Sequence, residues 1–284
     1  MIGDDRRPSD KRALSEVQVA DRLTFLGHST VLVDLDGVRV LTDPLFGHLA
    51  VSIRRQVPPV DPEALGDLSA VFISHGHLDH LDLESLRALP GEPEFFVPVG
   101  LGRIVAKAAR GAVHEMRAGD RLAVGGLTLE AVHAEHGRRR SPFTSAEEPL
   151  GVLIAGSTSI YFAGDTSLFA GMSELAGRVD VALLPVGGWG PRLGRGHLDP
   201  ERAAEAAVRI RPAIAVPIHW GTLYVPGSAY AGKQANYAWF QRTRRRPEEF
   251  VQLAAENAPD VEVRLLEPGE SLSVEPVEPV AGAQ

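Results

Sequence analysis

The sequence contains no cysteine among its 284 residues. This absence excludes disulfide bonds, cysteine nucleophiles, iron–sulfur clusters and zinc sites built from thiolates. Any metal ion that the chain binds must therefore be held by histidine, aspartate or glutamate. The sequence has 10 histidines and 37 acidic residues that can serve this purpose.

Positive charge is also scarce, with 29 lysines and arginines against the 37 acidic residues and a net charge of −8. Proteins that bind nucleic acids hold the phosphate backbone mainly through basic side chains, so we expect no nucleic-acid partner. A small molecule is the expected partner. The composition leaves open whether the chain forms an oligomer.

Long apolar runs are absent as well. No uninterrupted run approaches the roughly 18 residues that a membrane span needs. The N-terminal stretch MIGDDRRPSDKR lacks the apolar core of a signal peptide. We therefore expect a cytoplasmic protein without stable membrane insertion.

Both ends of the chain differ in composition from its body. Residues 1–18 are charged and aperiodic, and residues 275–284 are rich in proline and small side chains. Such segments cannot bury enough apolar surface to offset the entropy cost of ordering them. We predict two disordered tails around one folded domain at 19–274.

The body alternates runs of strand length with helix-like stretches. The predicted strands are 23–25, 30–35, 38–41, 71–74, 95–99, 127–132, 152–155, 160–163, 179–185, 214–218 and 261–266, and the predicted helices are 83–88, 101–109, 167–175, 200–210 and 247–256. Turn signals at Asp36-Gly37, Gly125-Gly126 and Gly156-Ser157 favour antiparallel hairpins. One sheet with so many strands would be very large. We therefore predict an α/β fold with two sheets face to face and helices on their outer faces, a four-layer αβ/βα sandwich.

The strongest chemical signal is His75-Gly76-His77-Leu78-Asp79-His80, directly after the predicted strand at 71–74. On an extended segment His75 and His77 point the same way because they are two residues apart. A lone histidine is more often a surface or hydrogen-bonded core residue. Four such side chains crowded after a buried strand would destabilise the fold unless a metal ion satisfied them. The spacing therefore predicts a metal site with enough ligands for two ions, but it does not select the metal.

This H-x-H-x-D-H pattern resembles that of the metallo-β-lactamase superfamily, which carries it on a loop after a strand. Further segments are similar to the branch that contains N-acyl-phosphatidylethanolamine-hydrolysing phospholipase D and ascorbate-6-phosphate lactonase. They are Phe25-Leu26-Gly27-His28, Leu41-Thr42-Asp43-Pro44, Gly164-Asp165-Thr166, Leu184-Pro185-Val186-Gly187 and His219-Trp220-Gly221-Thr222. The resemblance spans residues 23–222 and implies the metallo-β-lactamase fold.

The resemblance also implies a ligand set for two divalent metal ions, with Zn²⁺ preferred and Mn²⁺ or Fe²⁺ as alternatives. One ion would be held by a first group of ligands, His75, His77 and His136. The other ion would be held by a second group, Asp79, His80 and His219. Asp165 would bridge the two ions. An anionic bridge is needed because two cations so close together repel each other.

Three residues are further candidates near the ligands. His28 and Asp43 lie at early strand ends, where they either orient the ligand loops or form a buried polar pair. Arg138 begins a run of three arginines shortly after His136. This run would either steer an anionic substrate or form a solvated loop.

His197 lies in a glycine-rich loop before the predicted helix at 200–210. It would either contact the substrate or be an ordinary loop residue. His197 and Asp79 are the candidate catalytic residues.

For the activity, the resemblance implies a metal-dependent hydrolase. A hydroxide that bridges the two ions would attack a phosphoester, in particular a phosphodiester, or a lactone. The substrate is expected to be a small anionic molecule. Two alternatives stay open, a di-iron redox enzyme on the same scaffold and a β-lactamase-like amide hydrolase.

Overall fold

The computed structural model describes residues 21–49, 53–136, 147–188, 193–194, 196–224 and 233–274, with the side chains of the last range described from 245 onward. The predicted tails at 1–18 and 275–284 lie outside these residues. Among the helices of the described part, none combines the length and the apolar character that crossing a bilayer requires.

Most of the described chain consists of short strands and a few helices. In chain order the strands are β1 (Arg22–Gly27), β2 (Thr30–Leu35), β3 (Val38–Thr42), β4 (Arg54–Arg55), β5 (Ala70–Phe72), β6 (Glu94–Pro98), β7 (Val113–Met116), β8 (Arg121–Val124), β9 (Leu127–His133), β10 (Leu150–Ala155), β11 (Ser159–Phe162), β12 (Val181–Pro185), β13 (Ile214–Ile218), β14 (Leu223–Tyr224), β15 (Glu262–Val263) and β16 (Ser271–Ser273). The helices are α1 (Leu83–Ala88), α2 (Gly102–Val105), α3 (Pro200–Ile210) and α4 (Lys233–Asn257), with 3₁₀ turns at Pro62–Leu65 and Ala170–Leu175.

Two seven-stranded sheets form the centre, in the orders β16-β1-β2-β3-β5-β6-β7 and β15-β13-β12-β11-β10-β9-β8, while β4 pairs with β14. Each sheet has an antiparallel half and a parallel half. In the first sheet the parallel half runs from β3 to β7. In the second it comprises β11, β12, β13 and β15. This layout positions the site, because ligands bind beyond the carboxyl ends of parallel strands.

Tight turns close the hairpins where the sequence predicts them. Asp36 and Gly37 have positive φ angles of 51° and 74°, as a type I′ turn requires, and they join β2 to β3. The other two turn signals join β8 to β9 and β10 to β11. All three pairs are antiparallel, so these predictions are confirmed.

Apolar side chains hold the layers together. Phe72 of β5 and Phe162 of β11 meet edge to face between the sheets, with 6.3 Å between their ring centroids. The buried alanine-rich stripe of α3 joins the same core. Leu86 of α1 and Val105 of α2 pack with Val71 of β5 in a second core on the other face of the first sheet. The predicted α/β four-layer sandwich is therefore confirmed.

The details differ at helix ends and sheet edges. The helices predicted at 83–88 and 200–210 have those bounds, but α2 ends at Val105, and the stretch predicted from 167 is a 3₁₀ turn from Ala170. Pro247 suits the start of a helix, yet it lies inside α4. Strands β7, β8 and β16 were not predicted, because exposed polar or charged side chains interrupt their apolar pattern at the sheet edges.

We predict that Phe162→Ala lowers the free energy of unfolding by about 3–5 kcal/mol, because loss of the buried ring leaves a cavity between the sheets. Urea denaturation followed by circular dichroism measures the change. Val208→Ala is the control, since Val208 is 42% exposed, and it should change the same quantity by less than about 0.5 kcal/mol. Equal effects of the two substitutions would contradict the packing described.

Candidate metal centre

Loops from both sheets bring the predicted ligands together at one edge of the sandwich. These loops follow strands β5, β9, β11 and β13, and in that order they carry His75, His77, Asp79 and His80, then His136, then Asp165, and then His219. The strands end there because each runs into a polar, turn-forming segment. One loop of the first sheet thus faces three loops of the second.

The first group contains three imidazole nitrogens that point at a common centre. His77 Nδ1 lies 2.9 Å from His75 Nε2 and 3.0 Å from His136 Nε2. With metal–nitrogen distances of about 2.0–2.1 Å, neighbouring ligand atoms of a tetrahedral ion are about 3.3 Å apart. The three nitrogens are therefore spaced as ligands of one small ion.

The second group lies beside the first. His219 Nε2 is 3.3 Å from His80 Nε2 and 3.8 Å from Asp79 Oδ2. The distance between His80 Nε2 and Asp79 Oδ2 is 3.5 Å. These three atoms surround a second centre of similar size.

Asp165 lies between the two groups. Its Oδ2 is 3.3 Å from His80 Nε2 and 3.9 Å from His136 Nε2, and its Oδ1 is 3.2 Å from His219 Nε2. Oδ1 is nevertheless a buried oxygen that has no hydrogen-bond partner among the described residues. A buried carboxylate oxygen of this kind, beside imidazole nitrogens that face one another, fits a cation better than any proton arrangement. The donor set therefore suits two divalent ions.

Outer contacts fix the orientation of the ligand histidines. His80 Nδ1 donates to Asp43 Oδ2 at 2.7 Å. His75 Nδ1 donates to the hydroxyl of Ser74 at 2.9 Å, and that hydroxyl donates to the same Asp43 oxygen at 2.6 Å. With its ring proton on the outer nitrogen, each of these histidines can present the lone pair of its inner nitrogen to a metal ion at the centre. Asp43 is thus placed where it orients two of the predicted ligands.

The second sheet orients its two histidines with backbone carbonyls. His136 Nδ1 donates to the carbonyl of Gly196 at 2.6 Å. His219 Nδ1 donates to the carbonyl of Gly187 at 2.9 Å. Sequence analysis missed these acceptors and Ser74, although Gly187 and Ser74 lie in or beside the motifs that it used.

The site combines ionised carboxylates with imidazoles whose pKa values are shifted in opposite directions. Burial alone would lower the pKa of His80, but the charges of Asp165, Asp79 and Asp43 raise it well above its usual value. Burial lowers the pKa of His75 well below its usual value, and it lowers that of His136 to about 4. Burial alone would raise the pKa of Asp165, but His219 and His80 hold it well below the usual range. Asp165 therefore carries its negative charge at neutral pH, where a pair of cations would need it.

His28 contacts the second group without belonging to the predicted ligand set. Its Nε2 donates to Asp79 Oδ2 at 3.0 Å, and its ring lies 4.0 Å from that of His219. Burial, followed by the charge of His219, lowers the pKa of His28 to about 3. The side chain is therefore neutral and orients the carboxylate of Asp79.

His197 reaches the centre from its loop. Its Nε2 is 3.3 Å from Asp165 Oδ2, and its ring meets that of His136 edge to face at 4.7 Å. The His197 side chain is 22% exposed, whereas those of His80, His136 and His219 are exposed by 2% or less. His197 thus lies at the mouth of the site.

The remaining candidate residues are either outside the described residues or outside the cluster. Arg138 and the two arginines after it lie outside the described residues. Three further histidines are not in the cluster. His48 contacts the backbone of Arg55, His114 contacts the carboxylate of Glu94, and His133 contacts the carboxylate of Glu148.

Comparison with known proteins shows which family the sequence resembles. A family model described as the beta-lactamase superfamily domain matches residues 38–220. N-acyl-phosphatidylethanolamine-hydrolyzing phospholipase D 1 of Caenorhabditis elegans is 30% identical over 254 residues, which cover 76% of this chain and 71% of the relative. A UPF0173 metal-dependent hydrolase of Methanopyrus kandleri is 34% identical over 262 residues, covering 88% of this chain and 98% of the relative.

A solved structure has a similar fold. The metallo hydrolase Igni18 from Ignicoccus hospitalis superposes with a TM-score of 0.67 and 27% sequence identity, and the match covers 90% of this chain and 99% of that one.

We predict that Asp43→Asn weakens metal binding by roughly 10- to 100-fold. The amide would face His80 Nδ1 with a donor, which favours the tautomer whose proton points into the centre. Competition with a chelator measures the affinity. Asp180→Asn is a matched control, because Asp180 accepts from the backbone and hydroxyl of Ser159 as Asp43 does from Ser74, but outside the metal cluster. Equal losses in both variants would contradict the assigned role of Asp43.

Proposed function

This chain belongs to the beta-lactamase superfamily and is a metal-dependent hydrolase, and from that premise we propose that it cleaves phosphodiesters, or else lactones, with two divalent ions. The position of Asp165 carries the proposal, because its carboxylate contacts ligand candidates of both groups. A shared anion is the group that allows two cations to bind a few ångströms apart.

The donor set suits Zn²⁺ best, with Mn²⁺ and Fe²⁺ as alternatives, because imidazole nitrogens outnumber carboxylate oxygens. When bound, a pair of such ions lowers the pKa of a coordinated water and polarises the oxygens of the substrate. The phosphodiesterase assignment draws support from the relative whose name describes hydrolysis of N-acyl-phosphatidylethanolamine. A small anionic substrate is consistent with a cationic centre.

The protein's own residues set the geometry and handle the proton. His28, Asp43 and Ser74 hold the ligand side chains in place. His197 has an acceptor at each ring nitrogen, Asp165 Oδ2 and the carbonyl of Gly194, both at 3.3 Å. Burial opposes protonation of His197, but the hydrogen bond to Asp165 raises its pKa above the usual value. A protonated His197 at the mouth of the site can donate to the departing alkoxide.

We predict close to two ions per chain in the metal-replete protein. Asp165→Asn should weaken both ions, whereas His219→Ala should remove chiefly one, because His219 belongs to the second group alone. Elemental analysis after dialysis gives the counts. His114→Ala is the control, since His114 pairs with Glu94 outside the metal cluster and should leave the count unchanged. A single ion in the wild-type protein, unaffected by changes to Asp79 and His80, would contradict the two-ion site.

We predict that the metal-replete protein hydrolyses bis(4-nitrophenyl) phosphate or a phosphorylated lactone faster than the β-lactam nitrocefin. The Asp165→Asn protein should have lost the activity. Preference for nitrocefin would instead indicate an amide hydrolase. Activity confined to the iron-loaded protein with O₂ and a reductant would indicate the di-iron redox alternative.

We predict that His197→Ala keeps the full metal content but lowers turnover, within the roughly 10²- to 10⁴-fold range of general acid catalysis. The loss should be larger for an alkyl than for a nitrophenyl phosphodiester, because a nitrophenolate leaves without a proton. Steady-state kinetics on both esters test this. Equal losses would show that His197 contacts the part of the substrate that does not leave.

A further inference from the structure

Glu147 is a buried acid beside the ligand loop, and the sequence gives no sign of it. Its Oε1 accepts the backbone N–H of Gly76 at 3.0 Å. Its Oε2 is buried, and within the described part of the chain it has no hydrogen-bond partner. Glutamate is rarely buried to this degree, here 2% exposed, unless something compensates its charge.

Gly76 and Glu147 are fitted closely to each other. A Cβ at position 76 would lie 2.6 Å from Glu147 Oε1 and 3.1 Å from a methyl of Leu101. Only glycine allows the carboxylate to approach this peptide. The contact thus fixes the backbone between His75 and His77.

His77 lacks the outer support that the other ligand histidines have. Asp43, Ser74 or a backbone carbonyl accepts from the outer nitrogen of each of the other four. For His77, no residue of the described ranges forms a hydrogen bond with Nε2, and its Nδ1 faces the centre. The orientation of His77 therefore depends on its backbone, and Glu147 holds that backbone at the neighbouring Gly76.

The charges of the two groups are also unequal. The second group contains the carboxylate of Asp79, and Asp43 lies directly behind it. The first group consists of three imidazoles, so Asp165 is the carboxylate within its reach. Glu147 lies on the side of the first group. Burial lowers the pKa of His77, and the negative charge of Glu147 is one of the charges that act against this shift.

We propose that Glu147 is a positioning residue for the first ion. Glu147 holds the Gly76 peptide so that His77 keeps its place, and its negative charge partly balances the charge of that ion from outside the ligand group. This inference rests on the proposed two-ion site. It assigns to Glu147 a supporting role for His77, as Asp43 supports His80 directly and His75 through Ser74. No bond is made or broken by Glu147, and it does not contact the substrate.

The test measures Zn²⁺ affinity by chelator competition in two single-site backgrounds. His219→Ala leaves the first site, and His136→Ala leaves the second. In the first background, Glu147→Gln keeps an acceptor for Gly76 but removes the charge, and it should weaken Zn²⁺ roughly 10- to 100-fold. In the second background the affinity should not change. Glu148→Gln is the matched control, because Glu148 is the next residue but is exposed and pairs with His133.

Two further measurements separate positioning from a general structural role. Gly76→Ala breaks the same contact from the other side and should weaken the first site in the same way. The metal-free Glu147→Gln protein should melt no lower than its parent, because the substitution removes a buried charge. Equal loss of affinity in both backgrounds, no loss in either, or a lower melting temperature of the metal-free variant would overturn the inference. If neither single-site parent binds an ion, the proposed two-ion function fails, which is a separate result.

Discussion

The carboxylate of Asp165 is the group on which the rest of the site depends, since within the described part of the chain it is the carboxylate that contacts both groups of predicted ligands. Its position depends in turn on a close approach of the two sheets. Gly164 has a φ of 61°, and a Cβ there would lie 2.8 Å from the Cβ of Ser74. Ser74 also accepts the N–H of Leu150 through its carbonyl. The strand ends of the two sheets thus touch beside the metal ligands, which places Asp165 against the loop of the first sheet.

Strained backbone accompanies this approach. His28, Asp43 and His219 have φ angles of 57°, 35° and 62°. Residues other than glycine rarely adopt such positive values. Buried hydrogen bonds hold them there, including those from the N–H of His219 to the carbonyl of His28 and from the N–H of His28 to the hydroxyl of Thr222, both at 2.7 Å. Strain of this kind gathers at functional sites, where the surrounding structure maintains it. The ligand geometry is therefore built into the fold.

The sequence predicted the layers of the fold and the local ligand loop because both depend on short-range patterns. Strand-length apolar runs, turn dipeptides and the spacing of His75, His77, Asp79 and His80 can all be recognised within a few residues. The distant partners required the resemblance to a family, since His136, Asp165 and His219 are separate in the chain. Glu147 was missed because the pair Glu147-Glu148 before β10 matches no recognised motif, and the contact between Glu147 and Gly76 spans 71 residues. Edge strands were missed because exposed polar or charged side chains interrupt their apolar pattern. The start of α4 was missed because Pro247, which lies inside this helix, suits a helix start.

The division of the predicted ligands between the two sheets has a consequence for unfolding. The loop of the first sheet contributes the predicted ligands between residues 75 and 80, and the loops of the second sheet contribute those from 136 to 219. Neither sheet therefore holds a complete site. Ions bound at the seam would act as cross-links that close chain loops of about sixty residues or more, and such cross-links stabilise mainly by restricting the unfolded chain. Without ions the ligand loops would exchange their amide hydrogens faster than with ions, while the apolar core would still join the two sheets. Metal ions bound at the site would in this way also stabilise the folded state against unfolding.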